Sequence, residues 1–385
     1  EGIAHNQSIR EINIIHLSNG GFTWIMRALH GVTQLKILII GSHDNVGPDG
    51  WSELRTLLES GVCKLKLLRL SGNNYIGNEG MGVLSNGLIG IGSSLKYLSL
   101  SHNSIGNEGL SSLVDALQTC TGLETLHLSG NGFSFSEGIA RNQSIRNINI
   151  RNLNNDTFTS IMRALHSASQ LEELDISNSS NVDPDGWSEL RTLLESGVCK
   201  LKRLKLCGNN YIGNEGMGVL SNGLIGIGSS LKYLSLSDNS IGNEGLSSLV
   251  DALQTCTGLE TLHLSGNDFS SAAAGLGSLS TLLQRYEVNL KHLDLRNCSI
   301  NDEGLHALAE GAANHCEELD LGGNKSITST GLSYLSNATR SDSCRVETLW
   351  LQCIPIEDDG MEVLGQGLVG NQSLRSLGLE ELDNG

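Results

Sequence analysis

A chain of 385 residues is long enough for two or three ordinary domains or for one long solenoid. With 38% hydrophobic and 17% charged residues it can bury a core, while 4% aromatics and 3 prolines exclude an aromatic-cored β-sandwich and Pro-rich linkers. A net charge of −17 makes it a poor generic binder of nucleic acid or anionic membrane.

From the start of the chain the dominant signal is self-similarity. Residues 1–136 align without gaps with 137–272, with 26 differences and 110 identities, and 72–101 equal 208–237 letter for letter. Within each copy an L-x-x-L-x-L pattern recurs. It begins at Ile9, Leu35, Leu65, Leu95 and Leu123, and again at Ile145, Leu171, Leu201, Leu231 and Leu259. Four further units follow at Leu290, Cys316, Val346 and Leu374.

The unit at Leu95 is the clearest. Period-two alternation predicts a short strand with Leu95, Leu98 and Leu100 turned inward and Tyr97 and Ser99 outward. Asn103 stands where the strand must turn, and its amide can serve the backbone of neighbouring turns. The same slot holds Asn at 73, 131, 209, 239, 267 and 324, and Cys at 298. After Gly109, Leu110, Leu113, Val114 and Leu117 recur at helical spacing. One unit cannot bury its own apolar side, so stacking must do it. The unit from Leu123 to Ser144 is only 22 residues, too short for a full helix. The chain opens in mid-unit and stops just after its last strand, which suggests a piece of something longer.

The motif L-x-x-L-x-L-x-x-N-x-I-G-x-E-G-x-x-x-L, at Leu95–Leu113 and Leu231–Leu249, resembles the leucine-rich repeat family and its ribonuclease-inhibitor-like subclass. The resemblance implies an α/β, right-handed solenoid (a horseshoe) of about 14 repeats, with a parallel sheet on the concave face and helices on the convex face. It implies one domain over 1–385, an internal duplication at 1–136 and 137–272, and further repeats over 273–385. Protein–protein interaction is the expected function. A Ran-GTPase-activator-like role and a ribonuclease-inhibitor-like role are the alternatives, although the former family's functional Arg and Asn match no motif here.

Little else carries chemistry, and no enzyme activity or cofactor is expected. Asn181, Asp183, Asp185 and Gly186 mimic an EF-hand start, but position 12 is Thr192 and copy one has His43 and Gly47, so a polar turn capping the Trp187 helix is expected. The glycine runs at 87–92, 223–228 and 275–277 lack the P-loop Lys and read as helix ends. Trp51 and Trp187 read as core. His263 and Asp294 share a column of adjacent strands with His292 on the same face, so a metal or acid–base pair is possible, although binding-surface hydrogen bonds are the plainer reading. The nine scattered Cys read as buried thiols of a reducing, cytoplasmic setting.

The outward strand positions carry equal numbers of acidic and basic residues, so the net charge falls on helices and loops. The face is basic over the first five units and acidic over the last four, where Asp294, Glu318, Asp320 and Glu381 lie. Twelve of the 26 differences fall on the 25 outward positions of the duplicated units. Copy one places Ile37, Ile39 and Leu67 beside Tyr97, and copy two has Glu173, Asp175 and Arg203 beside Tyr233. The candidate protein-binding residues are thus Ile37, Ile39, Leu67, Arg69, Tyr97 and His127 in copy one, and Arg203, Lys205, Tyr233 and His263 in copy two. Beyond the copies they are His292, Asp294, Glu318, Asp320 and Trp350. The partner expected is a protein bound by a monomer, without nucleic acid or membrane.

Overall fold

A computed structural model describes residues 6–41, 46–73, 76–133, 138–179, 181–210, 212–285 and 287–380. His43 and Glu381 lie outside them. The chain forms two compact units, Glu1–Ile176 and Ser177–Gly385.

The first unit runs β1 (Glu11–Ile15), α1 (Asn19–Leu29), β2 (Ile37–Gly41), α2 (Pro48–Glu59), β3 (Leu67–Arg69) and α3 (Gly77–Ile91). It continues with β4 (Tyr97–Ser99), α4 (Asn107–Leu117), β5 (Thr125–His127), β6 (Asn147–Asn149), α5 (Asn155–Leu165) and β7 (Glu173–Asp175). Its strands pair in parallel in chain order. No helix separates β5 from β6 among the described residues, as the short unit implies.

The second unit runs α6 (Pro184–Glu195), β8 (Arg203–Lys205), α7 (Gly213–Ile227), β9 (Tyr233–Ser235), α8 (Asn243–Leu253), β10 (Thr261–His263) and α9 (Ala273–Leu283). Then come β11 (His292–Asp294), α10 (Asp302–His315), β12 (Glu318–Asp320), α11 (Ser329–Thr339), β13 (Thr348–Trp350), α12 (Asp358–Leu368) and β14 (Ser376–Gly378). These strands are also parallel and in chain order.

The core lies between sheet and helices. Leu95, Leu98 and Leu100 are buried, as are Leu110, Leu113 and Leu117 from α4, while Val114 is half-buried. Trp51 and Trp187 are core residues, and Trp51 meets Phe22 edge-on with ring centroids 5.3 Å apart. The turns are tied by the asparagine slot. Asn103 Nδ2 donates to the Leu70 carbonyl at 2.8 Å while its Oδ1 accepts the Asn73 N–H at 3.1 Å. Asn239 does the same with the Leu206 carbonyl and the Asn209 N–H, each at 3.0 Å. Cys298 takes the slot with its thiol, which donates to the Leu264 carbonyl at 3.1 Å. Such bonds satisfy backbone groups that no sheet or helix reaches.

The glycine runs at 87–92 and 223–228 fall where α3 and α7 end, with Gly92 and Gly228 as the caps, and Gly90 and Gly226 stand in the last turns. A Cβ on Gly90 would meet the Leu58 carbonyl oxygen at 2.7 Å, and one on Gly226 the Leu194 oxygen at 2.6 Å. These glycines let a helix close onto its neighbour's backbone. Gly275 and Gly277 open α9 rather than ending a helix.

Candidate functional site on the open sheet face

The face of each sheet turned away from its helices carries the candidate residues in two rows set by the strand register. In the first unit one row reads Ile37, Leu67, Tyr97, Thr125, and the next Ile39, Arg69, Ser99, His127. The aliphatic and aromatic members are therefore contiguous. They are half-buried rather than fully exposed, because side chains on parallel strands less than about 5 Å apart shade one another. The second row sinks further at some positions and not at others, since Arg69 is exposed. Ser99, expected outward, is buried with its hydroxyl 2.7 Å from that of Ser71, and Asp175 is buried beneath Arg151.

Tyr97 and His127 form a polar pair. The phenol oxygen lies 3.1 Å from His127 Nδ1, with Arg69 Nη2 3.5 Å from the same oxygen. Burial, helped by the nearby Arg69 cation, pushes the His127 imidazolium below its ordinary range. In the second unit the Arg203 guanidinium sits 4.0 Å from the Tyr233 ring centroid, Lys205 Nζ lies 5.9 Å away, and the His263 ring is 5.3 Å from Tyr233. Burial pushes the Tyr233 phenol up.

The face deepens into a pocket of about 650 Å³ over β10–β13, lined by His263, His292, Asp294, Arg296, Glu318, Asp320 and Trp350 among others. The expected His263–Asp294 pair is present at 3.0 Å. His292 does not join it; its Nδ1 lies 2.9 Å from Glu318 instead. Sequence reading gave Arg296 no role in the site, yet its Nε and Nη2 clamp Asp294 at 3.0 and 2.9 Å. The signal available was its position two residues past Asp294, where the strand leaves on the same face. Trp350 Nε1 donates to Glu318 at 3.0 Å. Its ring lies over Gly378, where any Cβ would collide with it.

These contacts divide the three acids. Burial would raise the Asp294 carboxyl, but the His263 and Arg296 hydrogen bonds outweigh it and hold it well below the ordinary range. The Trp350 N–H, with His292 behind it, also holds Glu318 low, against the effect of burial. Asp320 goes the other way, to about 6, because burial is met only by the Gly322 N–H and a shared Arg296. Its neighbours Asp294 and Glu318 push in the same direction as burial.

The EF-hand-like stretch is a helix cap, with Asp183 Oδ1 accepting the Gly186 N–H at 2.9 Å at the start of α6. Among the described residues no group of three or more His, Cys, Asp or Glu is placed to hold a metal ion, and no helix is long and apolar enough to cross a membrane. Six of the nine thiols are buried, and burial pushes Cys120 to about 11 and Cys316 to about 12.

A leucine-rich repeat family profile matches residues 63–85, 93–114, 199–221, 229–250, 288–309 and 313–336. The mouse protein "NACHT, LRR and PYD domains-containing protein 12" is 32% identical over 52% of this chain and 19% of its own length. Mouse ribonuclease inhibitor is 30% identical over 48% of this chain and 46% of its own. The chain thus spans less than half of either relative. A chain in the crystal structure of the Rad7 and Elc1 complex in yeast shares the fold at a TM-score of 0.50 and 18% identity, over 96% of this chain and 86% of that one. Register, asparagine slots and the family profile agree that this chain is built of leucine-rich repeats, and those repeats are similar to the repeats of ribonuclease inhibitor.

Proposed function

We propose that the chain, as a single repeat domain over residues 1–385, is a non-catalytic scaffold that docks a protein partner on the open face of its sheet. The observation that carries this reading is where the duplicated copies differ. Nearly half of their differences fall on the outward strand positions, while helix residues such as Glu53, Arg55, Glu59 and Gln118 are unchanged. A retained scaffold with an altered face is the pattern of a diversified binding surface. The contiguous Ile37, Leu67 and Tyr97, flanked by Ile39, supply anchors of the kind that dominate interfaces.

The test is Ile37→Glu with Ile39→Asp, the acidic character that copy two carries as Glu173 and Asp175. With the partner identified and purified, affinity should fall at least about thirty-fold, since an interface anchor is worth about 2 kcal/mol. The melting temperature should drop by only a few degrees, because these side chains are half-buried. Unchanged affinity would remove this patch as the docking site. A collapsed melt would make it core.

A second reading, an inhibitor of a basic enzyme, is favoured by the acidic pocket together with the relative named ribonuclease inhibitor. Its test is inhibition of a basic ribonuclease by the purified chain.

A further inference from the structure

Resting on the scaffold reading, we infer that the pocket over β10–β13 receives an arginine side chain of the bound protein, laid along the Trp350 indole and paired with the Asp320 carboxylate. Three observations point there.

The first is shape. A volume of about 650 Å³ holds one long side chain and the backbone that presents it.

The second is how the hydrogen bonds are shared out. Asp294 is committed to Arg296 and to His263, and Glu318 to His292 and the Trp350 N–H. Asp320 has one N–H donor, from Gly322 at 3.0 Å, and a second oxygen 3.2 Å from an Arg296 Nε that already serves Asp294. Its side chain is 17% exposed, so a ligand can reach it. It is the pocket's acid whose donors are the least exclusive, one of them an Arg296 N–H shared with Asp294. Two added guanidinium N–H groups would complete it in the bidentate geometry that favours arginine over lysine. An incoming carboxylate would instead meet three acids against one arginine.

The third is the planar wall. Trp350 is held at one edge by Glu318 and backed by Gly378, where no side chain could share the space. An indole fixed in this way offers a preorganised surface for a flat cation.

The probe is N-acetyl-arginine methylamide, titrated into the full ¹⁵N-labelled chain. N-acetyl-citrulline methylamide serves as the neutral isostere and N-acetyl-glutamate methylamide as the anion. The Trp350 indole signal, assigned with Trp350→Phe, reports the pocket. The arginine probe should shift it, with citrulline at least about ten-fold weaker and glutamate without effect, as expected for a charge-assisted pair. Asp320→Asn, which removes charge without removing volume, should weaken the arginine probe about ten-fold. Trp350→Leu should weaken it while leaving the fold intact by circular dichroism.

Equal response to arginine and citrulline, preference for glutamate, or full affinity in Asp320→Asn each overturns the inference. A purified partner that binds wild type and Asp320→Asn equally, yet loses affinity with Ile37→Glu and Ile39→Asp, overturns it while leaving the scaffold reading standing. A probe that binds as expected, with no partner affected by either set of substitutions, removes the scaffold reading instead.

Discussion

His127 and His263 occupy the same place in the two copies, each one strand past an identical tyrosine and inside a matching stretch of sequence. Their chemistry differs because their far neighbours differ. The strand after His127 sets Asn149 opposite it, so its ring turns back to the Tyr97 hydroxyl, and burial with Arg69 nearby disfavours its charged form. The strand after His263 sets Asp294 opposite it, and the ring turns forward to that carboxylate. In a stacked array the character of a face residue belongs to the unit that follows as much as to its own. Duplication copies the side chain but not its setting.

The comparison predicts where the copies should behave alike and where they should part. The largest effect is in the shared core. Trp51→Ala and Trp187→Ala should each cost about 3–5 kcal/mol by denaturant titration, for lost burial and the cavity left behind. The two costs should agree within about 0.5 kcal/mol, as expected for matched sites. A larger gap would mean that the copies are not one scaffold.

Next come the slot asparagines. Asn103→Ala and Asn239→Ala leave buried carbonyl and N–H groups without partners, and each should cost about 2–3 kcal/mol.

Smaller still is Asn149→Asp, which gives His127 the kind of neighbour His263 has. NMR titration should find the His127 midpoint raised from its depressed value. Stability should fall by about 1 kcal/mol, because Asn149 Nδ2 now donates to the buried Asp175 at 2.9 Å and an added acid there faces like charge. A His127 midpoint that does not move would assign its depression to burial alone.

The smallest effect is in the pocket's acids. Asp320 binds its proton more tightly folded, at about 6, than unfolded, so its contribution to stability declines as pH rises from about 4 to about 6. Asp320→Asn should erase that decline and raise the melting temperature at neutral pH by a few degrees. Asp294 has the opposite sign: its stabilisation is present above the ordinary carboxylate range and is lost as pH falls below it. Melting curves should therefore separate by window: Asp320→Asn flattens the decline between about pH 4 and 6, whereas Asp294→Asn lies below wild type by a constant amount there and converges on it only as pH falls below about 4.

Much of the fold was legible because the signals repeat. Period two set the faces of Leu98 and Tyr97, the recurrent asparagine marked the turns, and the short unit after Leu123 announced a missing helix. Depth was not legible. Alternation says which way Ser99 or Asp175 points, but burial depends on whether Ser71 or Arg151 leans over it, and rotamers leave no periodic trace. The pocket failed for a related reason. His263, His292 and Asp294 were visible as neighbours, yet the choice of Glu318 over Asp294 by His292 depends on angles within a strand spacing. Gly275 and Gly277 misled because a glycine that opens a helix and one that closes it look the same in sequence.

The thiol of Cys298 in a row of asparagines has a use of its own. It is buried, burial pushes it to about 12, and it is held to a carbonyl of the preceding repeat, so in the closed array it is chemically silent. It becomes a nucleophile only when that rung comes apart. The rate at which a thiol reagent finds Cys298 under native conditions is thus a clock for local opening in the middle of the second unit, read on the unmodified chain.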